Sequence, residues 1–106
     1  MPAKYRVRVT RTAERDIEGV WSFIAQDSAE NAESLIRRLE EQIETLEKFP
    51  DRCPPIPENE LLSTRYRHLI FGNYRTIFRV EGKNVYVLRV IHGARLLDTS
   101  MFEGLD

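Results

Sequence analysis

The feature that most constrains the fold is a series of three strand-like segments separated by very short turns in the C-terminal half. These segments are rich in β-branched and aromatic residues, which favour extended backbone. Gly72-Asn73 and a turn around Gly82-Lys83 separate them, and such dipeptides are typical of tight hairpins. Because tight hairpins join antiparallel neighbours, we expect a three-stranded antiparallel meander. The predicted strands are 65–71, 74–80 and 84–91.

The N-terminal part predicts a further strand and a first helix. Tyr5, Val7 and Val9 alternate with polar residues, which is the period of a strand with one buried face. Apolar residues then recur at helical spacing over about 12–26, where Thr12 is the predicted N-cap. We therefore expect one strand followed by an amphipathic helix.

A second helix and a proline-rich segment complete the pattern. Asp27, with Glu30 three residues later, predicts the start of a longer helix that ends at Pro50. Residues 50–64 hold four of the five prolines and predict an ordered linker loop. The order strand, helix, helix and three strands predicts a single α+β domain over residues 1–106. Its helical hairpin should pack on one face of a mostly antiparallel sheet.

Composition and charge narrow the possible functions. The chain has 106 residues and a net charge of −1, but residues 65–95 carry seven basic side chains against one acidic. The lone Cys53 cannot pair within the chain, which fits a reducing cytoplasm. No apolar run is long enough to span a membrane, and residues 1–9 do not resemble a signal peptide. We expect a cytoplasmic protein without a disulfide, metal or cofactor, because metal-ligand motifs and glycine-rich phosphate loops are also missing.

The hairpin register predicts which side chains share a face of the sheet. With Phe71 opposite Tyr74 and Glu81 opposite Asn84, Arg75 should pair with Val90, and His92 should lie diagonally from Arg75. The face expected to receive the helices contains Arg67, Leu69, Phe71, Tyr74, Thr76, Phe78, Val80, Val85, Val87, Arg89 and Ile91. The face expected to be open contains Tyr66, His68, Ile70, Arg75, Ile77, Arg79, Tyr86, Leu88, Val90 and His92.

The predicted open face combines groups that can bind an anion or a phosphodiester. Arginine offers a planar fork of donors, histidine transfers protons near neutral pH, and tyrosine can stack on a base. For Arg79, near the end of a hairpin, a solvated charge is the favoured interpretation. Ile77, Leu88 and Val90 would be left in water unless a partner covers them. We therefore predict a partner-binding surface made of Tyr66, Ile77, Arg79, Leu88 and Val90.

The C-terminal segment YRHLIFGNYRTIFRVEGKNVYVLRVIHGAR resembles the RelE/ParE superfamily, the toxins of type II toxin–antitoxin modules, also described as plasmid stabilization proteins. The segments TAERDIEGVWSFIAQ and LEKFP are similar to the same family, so the resemblance covers nearly the whole chain. It implies a small α+β toxin that a cognate antitoxin neutralises. RelE-like members cut mRNA on the ribosome, whereas ParE-like members inhibit DNA gyrase.

Individual residues bear on the choice between these two targets. Arg75 and Arg95 match arginines that RelE-like nucleases use at the scissile phosphate. However, Tyr66 and His68 stand where the best-known nucleases have lysines, and Met101 stands where they have a base-stacking tyrosine, with Phe102 beside it. His92 resembles a histidine present in both branches.

We therefore expect a gyrase-directed toxin and keep two alternatives. The first is a ribosome-dependent, metal-independent endoribonuclease. Arg75 and Arg95 would stabilise its transition state, and His92 or His68 would act as general acid or base. The second alternative is an interaction module of the same fold that has no toxicity. In every case the resemblance implies an antitoxin partner and no cofactor.

Overall fold

The computed structural model, which describes residues 4–104, has the α+β architecture expected from the sequence. The helices and strands are β1 (Arg6–Val9), α1 (Arg11–Ala25), α2 (Ala29–Glu44), α3 (Asn59–Leu62), β2 (Arg67–Phe71), β3 (Tyr74–Glu81) and β4 (Asn84–His92). Single 3₁₀ turns lie at Thr45–Glu47, Pro50–Arg52 and Thr99–Phe102. None of the described helices is long and apolar enough to cross a membrane.

The first helix begins two residues before the expected position. The Oγ1 atom of Thr10 accepts a hydrogen bond from the backbone N–H of Ala13 at 3.1 Å, so Thr10 is the N-cap. The prediction of Thr12 was wrong because Thr10 still has the extended backbone of the preceding strand, as an N-cap requires, while Thr12 is already helical.

The start of the second helix also differs by one residue. Ser28 is the N-cap, and its Oγ atom accepts from the N–H of Asn31 at 3.1 Å. Ser28, not Asp27, takes this role because Ser28 has the extended backbone of an N-cap and its carbonyl accepts the first helical hydrogen bond, from the N–H of Ala32 at 3.1 Å. The helical hairpin itself is present as predicted.

The four strands form one mixed sheet in the order β1-β4-β3-β2. The hairpins β2–β3 and β3–β4 are antiparallel, whereas β1 runs parallel to β4. The antiparallel meander is therefore confirmed. Helices α1 and α2 cover one face, where Leu39 and Ile43 pack against Phe78, Val85 and Val87 in the first hydrophobic cluster.

A bulge in β4 shifts the register halfway along the second hairpin. Near the turn the pairing is as expected, and Phe78 lies opposite Val87. The next pair joins Ile77 to Arg89, so that Leu88 is an extra residue on β4. A single extra residue reverses the alternation of faces for the remainder of a strand.

The bulge corrects several of the predicted neighbours. Arg75 lies opposite Ile91, not Val90, and Tyr74 lies opposite His92. Val90 consequently packs in the cluster under the helices, while Ile91 belongs to the other face. Both predictions were therefore wrong: Val90 was expected on the open face and Ile91 on the face that receives the helices.

The face opposite the helices is covered over much of its area by the chain itself. Side chains from the linker and from the residues after β4 pack on it and form the second hydrophobic cluster. This cluster consists of Ile56, Leu62, Tyr66, Ile77, Leu88, Ile91, Leu97, Met101 and Phe102. The expectation of an open face was wrong here because the C-terminal 3₁₀ turn, Thr99–Phe102, lies across it.

Beyond the end of β1, a side chain of α1 takes the place of a strand partner and forms hydrogen bonds with β4. Asp16 of α1 accepts from the backbone N–H of Val90 at 3.0 Å and from Nε and Nη2 of Arg89 at 2.7 and 2.9 Å. Nη1 of Arg89 also donates to the carbonyl of Met101 at 3.0 Å. Arg89 was predicted among the core side chains, but it joins the first helix, the sheet and the C-terminal turn.

Candidate functional site

The candidate catalytic arginine is buried and already bound to two side chains. Only 7% of Arg75 is exposed. Its Nη1 and Nη2 atoms donate to the two carboxylate oxygens of Glu58 at 2.8 and 2.9 Å, and its Nε donates to Nδ1 of His68 at 3.0 Å. A carboxylate therefore occupies the fork of donors that a phosphate would need.

The protonation states of these groups follow from their contacts. The hydrogen bonds from Arg75 hold the pKa of Glu58 below its ordinary range, so the carboxylate is ionised at neutral pH. Burial and, to a lesser degree, the positive charge of Arg75 lower the pKa of His68. Because Nδ1 of His68 accepts a hydrogen bond, the neutral ring carries its proton on Nε2.

Glu58 is the member of this cluster that the sequence did not indicate. It lies in the proline-rich linker, just before α3, seventeen positions away from Arg75. Asn59 fixes the same segment against β2, since its side chain bonds both the carbonyl and the N–H of Tyr66 at 2.9 Å. The surplus of acidic residues in the linker was the only signal, and it did not identify a partner.

His92 lies beside this cluster. It was predicted on the open face, but the bulge places it opposite Tyr74, on the face of the sheet that carries the helices. It is exposed, its ring contacts Tyr74 edge to face with centroids 5.7 Å apart, and its Nδ1 accepts from the N–H of Ala94 at 3.1 Å. A groove of about 580 Å³ is lined by both histidines, Arg75 and Tyr74. Two of the predicted catalytic residues, His68 and Arg75, are thus in contact, and His92 shares their groove.

Arg95 lies in a neighbouring groove. It is exposed and lines a space of about 410 Å³ together with His92, Arg15 and Phe23, between α1 and the end of β4. Arg75 does not line that groove. The two arginines expected to act on one phosphate therefore face different cavities, and His92 and Tyr74 border both.

The residues predicted to bind a partner through exposed apolar side chains are buried. Ile77 and Leu88 are 0% exposed, and Val90 is 2% exposed. Tyr66 is also buried, with its ring 5.1 Å from that of Phe102. The expectation of exposure was wrong for these four residues, because the C-terminal turn covers three of them and the bulge turns Val90 under the helices.

Arg79 remains accessible from solvent. Its guanidinium lies 4.4 Å from the ring centroid of Tyr86 on the neighbouring strand and pairs with the carboxylate of Glu81. This cation–π contact orients the arginine on the sheet face opposite the helices. Within residues 4–104, no group of three or more His, Cys, Asp or Glu side chains is arranged to hold a metal ion.

A mixed four-stranded sheet that carries a helical hairpin on one face defines a known structural class of small α+β proteins. The chain is similar to a solved structure of the chromosomal ParDE toxin–antitoxin system from P. aeruginosa, with a TM-score of 0.67 and 20% identity over 84% of this chain and 96% of that one. It is also similar to the toxin–antitoxin complex RelBE2 from Mycobacterium tuberculosis, with a TM-score of 0.65 and 23% identity over 85% of this chain and 99% of that one.

The family is given by the sequence. A protein-family model described as the ParE toxin of the type II toxin–antitoxin system, parDE, matches residues 7–97. The chain therefore belongs to this family. The comparison with curated proteins found no match.

Proposed function

We propose that this chain is the toxin of a type II module, that a cognate antitoxin neutralises it, and that it inhibits DNA gyrase in the cytoplasm by binding. The observation that carries the proposal is the occupied fork of Arg75. A nuclease of the alternative type needs this guanidinium at the scissile phosphate, but Glu58 binds it through two hydrogen bonds and His68 through a third. The family match supports the same choice.

The C-terminal turn also argues against mRNA cleavage. The position that the resemblance assigns to a base-stacking tyrosine is Met101, which is 7% exposed, and the adjacent Phe102 is 5% exposed. Both side chains pack in the second hydrophobic cluster. Neither offers a face on which a base of a bound mRNA could stack.

The test is to induce the chain without an antitoxin and to follow three quantities over the first minutes. These are growth, the superhelical density of a reporter plasmid, and the 5′ ends of cellular mRNA mapped by primer extension. We expect growth arrest, a loss of negative supercoiling and unchanged mRNA ends. Purified chain should inhibit supercoiling by gyrase, and co-expression of the antitoxin should restore growth.

The alternatives give different results in the same experiment. New mRNA ends at codon-spaced positions that depend on translation would show a ribosome-dependent nuclease and overturn the proposal. Normal growth with unchanged supercoiling and unchanged mRNA would instead show a non-toxic interaction module. Growth arrest without either molecular change would also contradict inhibition of gyrase.

A further inference from the structure

Strand β1 lies at one edge of the sheet, and part of its backbone has no strand partner there. The N–H of Arg6 donates to the carbonyl of Lys83, just before β4, at 2.8 Å. Backbone groups of successive residues in a strand point to opposite sides, so Val7 and Val9 direct their N–H and C=O groups away from β4. Over the part of the chain that the structure describes, these two residues therefore present a free strand edge.

The beginning of this edge is occupied by the chain itself. The N–H of Tyr5 also points away from β4, and it donates to the carbonyl of Glu47 at 2.9 Å. Three residues span at most about 11 Å, whereas Val9 lies about 16 Å along the strand from Lys4, so the backbone that precedes Lys4 is too short to pair with Val9. The C-terminal turn packs on the face of the sheet opposite the helices. The free edge thus begins after Tyr5.

A groove of about 290 Å³ lies beside the free edge, on the side of the helices. Aliphatic side chains line one part of it, and carboxylates line the remainder. The aliphatic residues are Val7, Val9, Ile17 and Ile43, and the carboxylates are those of Glu14, Glu40, Glu44 and Glu47. A strand added at the edge would direct every second side chain into this groove. A side chain with an aliphatic stem and a cationic head, such as lysine, matches both parts of the lining.

The other face of β1 carries the opposite charge. Val7 and Val9 pack against the cluster under the helices, so Arg6 and Arg8 point to the face opposite the helices. Both arginines are exposed. Side chains on neighbouring strands interact across one face, where opposite charges are favourable and like charges are not. The side chains of an added strand that lie beside these arginines should therefore be anionic.

From this arrangement we infer that the free edge of β1 binds an extended segment of a partner protein in which cationic and anionic residues alternate. The segment becomes a fifth strand and forms hydrogen bonds with the backbone of Val7 and Val9. In this mode of recognition the backbone supplies affinity and the alternating side chains supply specificity. The cationic residues lie in the groove, and the anionic residues lie beside Arg6 and Arg8.

A second copy of this chain does not have the required chemistry. Two β1 strands side by side would bring the arginines of both copies together on one face and the groove carboxylates together on the other. Like charges directly opposite each other destabilise a strand pair, and charged edge strands prevent such pairing. The occupant is therefore a different protein. Its binding is additional to inhibition of gyrase, and the test below uses neither gyrase nor an antitoxin.

The test is an NMR titration of the purified, ¹⁵N-labelled full chain with the peptide acetyl-Thr-Lys-Glu-Val-Glu-Lys-Thr-amide. This peptide places both lysines and the valine on one face of a strand and both glutamates on the other. We expect saturable shifts at the amides of Val7 and Val9 and slower hydrogen exchange at both. The control peptide, acetyl-Thr-Glu-Glu-Val-Lys-Lys-Thr-amide, has the same composition without the alternation and should bind about fivefold more weakly or less.

Backbone pairing is tested by two peptides methylated on one peptide nitrogen, at the fourth or at the fifth residue. Neighbouring N–H groups point to opposite sides of a strand, so one of the two methyl groups must lie at the edge of β1, whichever way the segment runs. We expect one methylated peptide to lose about fivefold or more in affinity and the other to bind as before. Equal behaviour of the two would overturn strand addition, and this comparison requires no variant of the protein.

The charge of the groove is tested by Glu40→Lys/Glu44→Lys, which should weaken binding of the alternating peptide about fivefold or more. The matched control is Glu30→Lys/Glu33→Lys on the same helix, which changes the net charge by the same amount. Both control residues are exposed, and neither lines the groove. This control should bind within about twofold of the original chain. Circular dichroism checks that each variant is folded, and equal losses in the two variants would reduce the effect to net charge and overturn the site.

Three other results would also overturn the inference. They are the absence of saturable shifts at Val7 and Val9, equal affinity for the alternating and control peptides, and a dimer in sedimentation equilibrium that the alternating peptide does not dissociate and in which the Val7 and Val9 amides are protected. The last result would identify a second copy of the chain as the occupant of the edge.

Discussion

Arg75 and its two hydrogen-bond partners, Glu58 and His68, show how the role of one residue depends on its neighbours. An arginine on an exposed strand would be available to a phosphate, whereas this one is buried and bonded to a linker carboxylate and a strand imidazole. A buried guanidinium requires such partners, since an unpaired buried charge is strongly destabilising. Glu58 therefore fixes the linker to the sheet.

The first prediction concerns this carboxylate. Glu58→Gln removes the charge that pairs with Arg75, and we expect the free energy of unfolding to fall by about 2 kcal/mol, the typical contribution of a hydrogen bond to a charged group. Urea denaturation measures the change. The control is Glu60→Gln, two positions further and exposed, which should leave the midpoint unchanged. Equal midpoints for the two variants would show that the Arg75 contact contributes nothing.

The second prediction concerns pH. The pKa of folded His68 lies below its ordinary value of 6.5, so the unfolded chain binds more protons than the folded chain just below that pH. The free energy of unfolding should therefore decrease as the pH falls from 7 to 5. Below about 4.5, the ordinary pKa of a glutamate, the unfolded chain also takes up a proton at Glu58 more readily than the folded chain. The free energy of unfolding should therefore decrease further.

His68→Asn isolates the contribution of the imidazole. The Oδ1 atom of asparagine can still accept the hydrogen bond from Nε of Arg75, but the side chain does not titrate. The decrease between pH 7 and pH 5, measured by urea denaturation at both values, should become smaller in this variant. An unchanged pH dependence would show that another group causes it.

At the scale of elements, the C-terminal turn covers apolar side chains of the sheet that were expected to be covered by a partner protein. The sequence predicted apolar side chains on the second face, and that part of the prediction holds. The covering segment, LLDTSMF, is too short and too irregular for a periodic pattern, so the sequence leaves open whether it forms a turn over the sheet or is mobile. Its buried residues include Leu97, Met101 and Phe102.

The third prediction tests this cover. Phe102→Ala removes a ring that is 5% exposed and contacts Tyr66, and we expect a loss of about 3 kcal/mol in the free energy of unfolding. Leu96→Ala serves as the control, because Leu96 is 90% exposed. Hydrogen exchange at Ile77 and Leu88 should become faster only in the first variant. If both variants behave alike, the turn does not protect the sheet.

At the scale of the whole molecule, the sequence predicted the architecture better than the site. Glycine turns at 72 and 82 determine the pairs Phe71–Tyr74 and Glu81–Asn84, so the meander followed from local chemistry. The bulge did not, because β4 is apolar on both faces and offers no alternation by which to detect an extra residue. Errors in the predicted site arise from this bulge and from long-range contacts such as Glu58–Arg75.

The distribution of charge is a further property of the whole chain. Carboxylates line the grooves along the helices, while the exposed arginines Arg6 and Arg8 of β1 lie on the opposite face of the sheet. One small protein can in this way present surfaces of opposite sign to different partners. A single value for the net charge conceals this separation.

Because of the bulge at Leu88, the fold should tolerate a change in the number of residues in β4 less well than an exchange of one apolar residue for another. Before it, Val85 and Val87 face the helices, and after it Val90 does so, while Leu88 and Ile91 face the C-terminal turn. Exchanging valine, leucine and isoleucine among these positions changes side-chain shape but not direction. Deleting or inserting one residue here would invert the remainder of the strand, moving Arg75's neighbour Ile91 beneath the helices and Val90 to the opposite side.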